Sequence, residues 1–335
     1  MTAVPIALTL LSLAGPAASA APFDQSATTI DDLLALGRPV VLAHTGGEDR
    51  YPGSTMYAFR NSMAAGVDML DLNVTLSADG VLVVHHDLTV DRTTNGTGEL
   101  AELTVAELDA LDNAYWFTAD CAACTDQPAD AYIHRGIRTG QAPPPEGFAP
   151  EDFAIPTLAT VIGAFPEIPL NIEIKGSGDQ AIQAADVLIA DLTELDRLDG
   201  VVVASFDDAV IARVMAIAPH VEVSPGTAAT AAFVLDATPL PEGQRILQLP
   251  PVFEETDLLT PAIIGAAHDA GYVIWVWPND PALENAEAYA ELLARGVDGL
   301  NINDPEAGVA AVEALVAEES ATTSRADDSR PVRRR

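Results

Sequence analysis

The stretch MLDLNVTLSADGVLVVHHD, residues 69–87, decides the fold. Two β-prone runs, 70–76 and 81–86, flank the dipeptide Asp79-Gly80, which is typical of a two-residue hairpin turn. Most of the remaining chain alternates strand-like and helix-like segments, and that pattern predicts parallel strands. The sequence therefore places one antiparallel arm on an otherwise parallel sheet.

Nine segments have strand character, but only eight of them can belong to one parallel barrel. Neighbouring parallel strands need a crossover of about a dozen residues or more, and the turn after the second strand supplies none. Residues 81–86 are therefore predicted to extend the second strand beyond its carboxyl end. Eight strand–helix units predict a TIM barrel, whose catalytic face is the carboxyl end of the strands. The predicted barrel strands are 39–43, 69–74, 170–175, 201–206, 221–224, 246–249, 273–277 and 299–302.

The chain of 335 residues is divided into a leader, one domain and a tail. Residues 1–20 hold a short apolar run followed by Ala18-Ser19-Ala20, which predicts a signal peptide and a secreted or periplasmic protein. Residues 21–318 form the single barrel domain, interrupted by an irregular insertion at about 113–155. Residues 319–335 are polar and predicted to be disordered. No later run is apolar enough for stable membrane insertion.

Charge and cysteine content limit the partners and the metals. The net charge of −34 excludes nucleic acid as a partner, because such a surface repels phosphate backbones. The only cysteines are Cys121 and Cys124. A nearby pair in an exported chain favours a disulfide, whereas a zinc site needs further ligands that are not close in sequence. The expected partner is a small molecule, and the sequence does not define an oligomeric state.

Polar and aromatic side chains end several of the predicted barrel strands. Each residue type also has a purely structural alternative. The histidines could be structural residues whose hydrogen bonds are all made within the protein, and Asp71 and Asn73 could be polar residues that fill the barrel. Glu173 and Lys175 could form an internal ion pair, and Trp277 could serve in packing alone. Their convergence on one face favours a site. Lys175 is also the only lysine in the chain. The candidate site residues are His44, Asp71, Asn73, His86, Glu173, Lys175 and Trp277.

The chemistry of these residue types indicates cleavage of a phosphodiester. Asp, Asn and Glu offer hard oxygen ligands for Ca²⁺ or Mg²⁺, which also makes zinc the less suitable metal. Two histidines can serve as an acid and a base, and a lysine can balance phosphate oxygens as a point charge. Together they predict metal-assisted hydrolysis.

In sequence order, these and neighbouring motifs resemble the glycerophosphodiester phosphodiesterase family over about residues 44–305. The resemblance implies a TIM barrel, one divalent cation, and His44 and His86 as the acid/base pair. It implies that Asp71, Asn73 and Glu173 hold the metal, that Lys175 lies near the phosphate, and that the products are glycerol 3-phosphate and an alcohol. The motifs that carry it are His44-Thr45-Gly46, Pro52-Gly53-Ser54-Thr55, Ala58-Phe59, Asp71-Leu72-Asn73, Asp79-Gly80, His86-Asp87, Arg92-Thr93-Thr94, Glu173-Ile174-Lys175, Gly296-Val297-Asp298-Gly299 and Asn303-Asp304-Pro305.

The chain departs from the family pattern at three positions. Thr45 stands where the family has an arginine, Asp71 where it has a glutamate, and Asn73 where it has an aspartate. One hypothesis of compensation is that Glu48, or Arg135 or Arg138 of the insertion, reaches the site.

Two alternatives to the simple phosphodiesterase remain. One is an enzyme for a lysophospholipid or a polymeric glycerol phosphate, and an open apolar cleft around Trp116, Phe117 and Phe148 would favour the lipid. The other is a degenerate barrel that binds phosphodiesters without turnover.

Overall fold

The computed structural model describes residues 27–119 and 121–328, with side chains up to residue 322. The predicted signal peptide and the last seven residues lie outside this part. Its strands are β1 (Val40–Ala43), β2 (Met69–Leu76), β3 (Leu82–Val84), β4 (Leu170–Ile174), β5 (Val201–Ala204), β6 (Glu222–Val223), β7 (Ile246–Leu249), β8 (Val252–Phe253), β9 (Thr256–Asp257), β10 (Val273–Val276) and β11 (Gly299–Ile302). Eight of these strands are parallel and form a nearly closed barrel, as predicted, in the order β6-β5-β4-β2-β1-β11-β10-β7.

Helices follow the barrel strands and cover the outside of the sheet. Several begin at a residue whose side chain accepts a hydrogen bond from the first turn; Thr55, for example, caps α2 by accepting from the backbone of Ala58. The helices are α1 (Ile30–Leu34), α2 (Met56–Ala65), α3 (Val105–Asp109), α4 (Leu158–Ala164), α5 (Gly178–Glu194), α6 (Asp208–Ile217), α7 (Thr227–Asp236), α8 (Pro261–Asp269), α9 (Ala286–Ala294) and α10 (Pro305–Asp328).

Two layers of apolar side chains hold the barrel. The larger core lies between strands and helices. A smaller core includes Leu42, Met69, Val202 and Trp275 and is closed by Leu33 of α1. Because alternate residues of a strand face opposite sides, these strand side chains fill the barrel from within. The polar site is left at the opposite, carboxyl end.

The barrel is incomplete between β6 and β7, which are not paired in the described part of the chain. Side chains bridge this gap. The hydroxyl of Ser224 donates to the carbonyl of Ile246 at 3.0 Å, and Arg245 donates to Glu222 at 2.9 Å. The ring therefore closes through side-chain contacts at the position where its strand ladder is interrupted.

The hairpin is antiparallel, as predicted. β3 pairs with β2 in the register Val74↔Val84, and Gly80 adopts a φ of 78° at the turn. The backbone N–H of His85 then donates to the carbonyl of Asn73 at 2.9 Å. These contacts bring the end of the arm back over the carboxyl face of the barrel.

The insertion and the end of the chain complete the fold. Cys121 and Cys124 form a disulfide, which agrees with the favoured interpretation of that pair. From residue 113 to residue 155 only two short 3₁₀ helices occur among the described residues, Ala129–Ala131 and Pro150–Phe153. Where the sequence predicts a disordered tail from residue 319, α10 instead continues to Asp328. In the part of the chain that the structure describes, no helix combines the length and hydrophobicity that a bilayer crossing requires.

Candidate active site

His44 follows β1 and begins a short 3₁₀ turn, His44–Gly46, that bends the chain across the barrel mouth. Its Nδ1 lies 2.8 Å from Oδ1 of Asn303 and 3.8 Å from the Glu48 carboxylate. Burial acts to lower the pKa of His44, but the carboxylates of Glu48 and Asp71 outweigh burial and raise this pKa overall. With Nδ1–H donated to Asn303, the other ring nitrogen of His44 is available for proton transfer.

His86 reaches the same mouth from the hairpin. Its ring centroid lies 5.4 Å from that of His44, with the two ring planes nearly perpendicular. Nδ1 of His86 is 2.7 Å from Asp87, and Arg92 donates to the other oxygen of Asp87 at 2.5 Å. Burial raises the pKa of Asp87, but its bonds to His86 and Arg92 outweigh burial and hold it well below the usual range. Asp87 therefore orients His86 as a carboxylate.

The neighbouring His85 has a structural role. It is buried, and its Nδ1 lies 2.9 Å from the carbonyl of Asp87 while its Nε2 lies 2.9 Å from the Thr93 hydroxyl. Burial lowers the pKa of His85. Both ring nitrogens are thus occupied, and of the two adjacent histidines His86 is the one with a free ring nitrogen.

Asp71, Asn73 and Glu173 lie on adjacent strands beneath the histidines. Asn73 is opposite Glu173 in the register of β2 and β4. Asp71 is buried, and its Oδ1 accepts from the amide of Asn171 at 2.5 Å. Burial raises the pKa of Asp71, although nearby His44 and Asn171 act to lower it. An anion in this position is stabilised by any cation bound beside it.

The donor chemistry of these residues fits a hard divalent cation. Two carboxylates and one amide oxygen are ligands that Ca²⁺ and Mg²⁺ accept. Nδ2 of Asn73 is buried and has no hydrogen-bond partner among the described residues, so nothing in that part of the chain holds this amide in one orientation. In the same part, no three His, Cys, Asp or Glu side chains are gathered into a metal-binding group. A cation held between Asp71 and Glu173 would have the amide oxygen of Asn73 as its third protein ligand from this set.

Lys175 and Trp277 occupy different sides of the mouth. Nζ of Lys175 donates to Glu173 at 3.0 Å, which places the ammonium beside the carboxylates. Trp277 instead packs against Phe206, with ring centroids 5.9 Å apart. The structure thus brings His44, His86, Asp71, Asn73, Glu173 and Lys175 to one half of the mouth and leaves Trp277 on the other.

The hypothesis that Arg135 or Arg138 reaches the site is wrong. The Arg135 guanidinium lies over the rings of Tyr115, Trp116 and Tyr132, at 4.3, 4.6 and 3.7 Å from their centroids. Arg138 instead pairs with Asp109 at 2.8 Å. Both side chains are drawn to partners close to the insertion itself. The arginine that does border the site is Arg92, which lies 3.8 Å from Glu48.

A small pocket lies next to His86, between the insertion and the loops of the catalytic face. Asn113, at the start of the insertion, donates to the carbonyl of Ser54 at 3.1 Å and so connects the insertion to the loop that follows β1. The aromatic cleft that would favour a lipid is not found here, because Phe117 is buried and Trp116 packs on Tyr132. The pocket is lined by Glu48, Pro52, Gly53, Ser54, His85, His86, Arg92, Thr93, Asn113, Phe117 and Ala122.

Some contributors to the site carry only weak sequence signals. Asp87 and Arg92 belong to recognisable motifs, yet their joint support of His86 depends on the fold of the loop between them. Glu284 lies in a loop without a motif and accepts from the backbone of Asn303 at 2.9 Å. Burial raises its pKa to about 7, against the effect of its bonds to Tyr289 and Asn303. Only the structure connects Glu284 to the residue that holds His44.

Comparison with known proteins agrees with this geometry. Residues 44–307 match the model of the glycerophosphoryl diester phosphodiesterase family. A glycerophosphodiester phosphodiesterase of Caldanaerobacter subterraneus is 28% identical over 271 residues, covering 80% of this chain and 96% of the relative.

Two solved structures share the fold. A glycerophosphodiester phosphodiesterase of Agrobacterium tumefaciens aligns with a TM-score of 0.59 and 23% identity over 81% of this chain and 99% of its own. An Oleispira antarctica phosphodiesterase, in complex with the product sn-glycerol-3-phosphate, aligns with a TM-score of 0.62 and 19% identity over 84% and 99%.

Proposed function

The chain belongs to the glycerophosphoryl diester phosphodiesterase family, and from that premise we propose that it hydrolyses glycerophosphodiesters to glycerol 3-phosphate and an alcohol. The observation that carries the proposal is the pair His44 and His86, which come from separate segments and have ring centroids 5.4 Å apart. Two imidazoles at this separation can serve the two sides of one phosphodiester, the entering and the leaving oxygen.

We propose that the two histidines act as base and acid. Each has its Nδ1 held by a neighbour, Asn303 for His44 and Asp87 for His86. This fixes the ring orientation and leaves the opposite nitrogen to exchange a proton with substrate. One imidazole accepts the proton of the attacking hydroxyl, and the other donates a proton to the departing alcohol.

Residues beneath the histidines complete the proposed mechanism. Asp71, Asn73 and Glu173 would hold one divalent cation, Ca²⁺ or Mg²⁺. When bound, this cation supplies electrostatic stabilisation of the charge that develops on the phosphate oxygens. Lys175 lies within 3.0 Å of Glu173 and adds a second positive charge on the same side. Together they offset the cost of bringing an anionic phosphate to a carboxylate-rich site.

We also propose that the protein is exported. The proposal is supported by the signal-like pattern of residues 1–20 and by the bond between Cys121 and Cys124, since disulfides persist in oxidising compartments. N-terminal sequencing of the secreted or periplasmic fraction tests it. A mature protein that begins near residue 21 is the expected result, and retention of the full chain in the cytoplasm contradicts it.

A release assay tests the proposed activity. Glycerophosphocholine and glycerophosphoethanolamine are each incubated with the protein in Ca²⁺, Mg²⁺ or chelator. We expect turnover that chelator abolishes and that falls about 10²–10⁴-fold in His44→Ala and in His86→Ala. The matched variant is His268→Ala, whose imidazole bonds Asp298 on the surface. Absence of turnover under every condition, with binding retained, would instead support the degenerate binding barrel.

A further inference from the structure

The orientation of His44 depends on one amide at the end of β11. Oδ1 of Asn303 lies 2.8 Å from Nδ1 of the imidazole. Because the position of Oδ1 follows the backbone of Asn303, the groups that hold this backbone also set the contact with His44. The carbonyl of Asn303 accepts from the backbone N–H of Asp49 at 3.2 Å, which fixes one side of the residue.

The other side of Asn303 is held by Glu284, from the loop between β10 and α9. Oε2 of Glu284 accepts from the backbone N–H of Asn303 at 2.9 Å and from the hydroxyl of Tyr289 at 2.6 Å. Tyr289 is fully buried on α9, and its hydroxyl accepts in turn from the backbone N–H of Asp304 at 3.3 Å. One carboxylate oxygen and one hydroxyl thus bind two consecutive N–H groups after β11.

The backbone of Glu284 is itself fixed on both sides. Before it, Pro281–Leu283 forms a 3₁₀ helix, and the N–H of Glu284 donates to the carbonyl of Pro281 at 3.2 Å. After it, Asn285 caps α9 by accepting from the backbone of Ala288 at 3.1 Å. A carboxylate between two helical turns loses little conformational freedom when it accepts a hydrogen bond, so the contact is preorganised.

Folding alone does not explain a carboxylate at this position. Glu284 and Asn303 are only half-buried, so water could satisfy the N–H of Asn303 if the side chain at 284 were apolar. Burial raises the pKa of Glu284 to about 7, which means that the surroundings disfavour its charged form. Ionisable groups kept in such surroundings are typical of functional sites. Through Asn303, this one reaches His44.

We propose that Glu284 is a positioning residue of the active site, which holds the backbone of Asn303 so that Oδ1 stays on Nδ1 of His44. This inference rests on the proposed function, in which the opposite ring nitrogen exchanges a proton with substrate. Glu284 acts through Asn303 and does not itself touch the reacting atoms. What the position requires is an acceptor oxygen for two hydrogen bonds, which glutamine also supplies and leucine does not.

Nitrogen NMR of the histidine rings tests the proposal without turnover. The protein is kept in chelator at alkaline pH, where the imidazoles are neutral, and loss of a signal in His44→Ala identifies His44. We expect His44 of the wild type and of Glu284→Gln to carry its proton on Nδ1, because Oδ1 of Asn303 accepts it. We expect Glu284→Leu to show a mixture of both tautomers. A pure Nδ1–H tautomer in Glu284→Leu overturns the proposal.

Choline release from glycerophosphocholine measures the catalytic consequence. We expect Glu284→Leu to lower kcat about tenfold or more while KM changes little, because a displaced catalytic group is costly mainly in the transition state. Glu284→Gln is expected to remain close to wild type. An unchanged kcat in Glu284→Leu, or an equal fall in both variants, would contradict positioning by an acceptor oxygen.

Asn285→Ala is the matched variant, because Asn285 adjoins Glu284 and its side chain bonds Ala282 and Ala288. We expect a lower melting temperature, from the lost helix cap, together with the wild-type tautomer of His44 and the wild-type kcat. If Asn285→Ala mixes the tautomers as Glu284→Leu does, the effect belongs to the loop as a whole and the proposal fails.

Tyr289→Phe decides the matter if Glu284→Leu does not fold. It keeps the buried ring and removes only the hydroxyl between Glu284 and Asp304. Mixed tautomers of His44 and a lower kcat are expected, and wild-type behaviour in both measurements overturns the proposal. If the wild type cleaves no substrate but Glu284→Leu still mixes the tautomers, the proposed function is refuted and the positioning of His44 by Glu284 is supported.

Discussion

At the scale of single residues, Asp87 is the clearest support of the proposed chemistry. It accepts from His86 at 2.7 Å and from Arg92 at 2.5 Å. Asp87→Asn keeps the shape but loses the charge that fixes the His86 proton on Nδ1. We expect kcat for glycerophosphocholine to fall about 100-fold while KM changes little, because a misplaced catalytic group is costly mainly in the transition state.

The control for this prediction is Asp186→Asn, which breaks the surface pair with Arg213. It is expected to behave as wild type in both kinetic constants. A rise in KM at unchanged kcat in Asp87→Asn would show that Asp87 contributes to binding and not to the orientation of His86.

Asn73 is the residue that most limits the proposed metal site. Asn73→Asp adds a third carboxylate beside Asp71 and Glu173. We expect the metal-free variant to melt below the wild type, because like charges are gathered in a buried place, and Ca²⁺ or Mg²⁺ to bind about tenfold tighter or more, because ligand charge helps set affinity. Melting curves with metal and with chelator measure both effects.

Asn301→Asp is the matched variant for Asn73→Asp. Asn301 is also buried, on β11, but outside the proposed ligand set. We expect its melting temperature to fall equally with metal and with chelator. If the two variants respond alike to metal, Asn73 does not belong to a cation site.

His134 makes the stability of the insertion sensitive to pH. It packs among Tyr57, Phe117 and Phe153, and burial lowers its pKa to about 4. An unfolded histidine has a pKa of about 6.5, so between these values the unfolded state binds a proton that the folded state excludes. The free energy of unfolding therefore decreases as pH falls from about 6.5 to 4, by about 3 kcal/mol over this whole range.

The corresponding measurement is the melting temperature at pH 7 and at pH 4.5. His134→Phe is expected to lose less on acidification than wild type, because an uncharged ring replaces the imidazole. His220→Phe, at an exposed position, is expected to follow wild type. Equal losses in wild type and His134→Phe would contradict the assignment.

The sequence predicts which face of the sheet a strand side chain points to more reliably than it predicts the partners of a long, flexible side chain. Asp71 and Asn73 lie two apart on a strand, so their common direction follows from strand geometry alone. The position of Arg135 cannot be obtained in this way, because its partners Tyr115, Trp116 and Tyr132 are set by the irregular path of the insertion. A long flexible side chain selects its partner only after the surrounding backbone has formed.

At the scale of elements, local turn chemistry explains which hairpins could be foreseen. The β2–β3 hairpin has Gly80 at a φ of 78°, a conformation that glycine adopts readily. The β8–β9 hairpin carries no such signal: its strands are two residues long, and Glu254 adopts a φ of 54° at the turn. Its conformation depends on tertiary contacts such as the bond from Asn279 to Val252.

Arg135 stabilises the insertion, because its guanidinium contacts three aromatic rings and donates to the carbonyl of Tyr115 at 2.8 Å. Each cation–π contact contributes about 0.5–2 kcal/mol. We expect Arg135→Met to open the insertion to limited proteolysis while the barrel remains resistant. Arg138→Met, which removes an ion pair with the exposed Asp109, is the control and is expected to cost under about 1 kcal/mol. Equal protease resistance of wild type and Arg135→Met would contradict this role.

At the scale of the whole molecule, the sequence predicts the topology of the eight-stranded barrel but not whether its sheet closes completely. Eight strand–helix units predict the barrel, because each parallel connection needs its crossover. The gap between β6 and β7 depends on how far each strand extends, and β6 has only two residues, Glu222 and Val223. The position of α1, whose Leu33 closes the smaller core, could not be predicted either. A short amphipathic helix before the first strand does not indicate which end of a barrel it covers.

Net charge is the property of the whole molecule that most directly affects stability. With a net charge of −34, the acidic side chains repel one another. This repulsion is stronger in the compact folded state than in the unfolded chain, where the charges lie farther apart. Salt shortens the Debye length from ~10 Å at 0.1 M to ~3 Å at 1 M. We therefore expect the melting temperature, measured in chelator, to rise with NaCl concentration over this range. Ion pairs such as Arg213–Asp186 are weakened by the same screening, but the few cations present make that loss smaller than the gain.

A neutral osmolyte and a charge-altering variant separate screening from other effects of salt. Sucrose stabilises by exclusion from the surface, without screening charge. Replacing Glu254 and Glu255 together by Gln removes two exposed charges from the β8–β9 hairpin, so the variant is expected to melt higher than wild type at 0.1 M NaCl and to gain less from added salt. A melting temperature that is flat or falls with NaCl would mean that attractive pairs, and not the excess of acidic residues, dominate the electrostatic free energy of the fold.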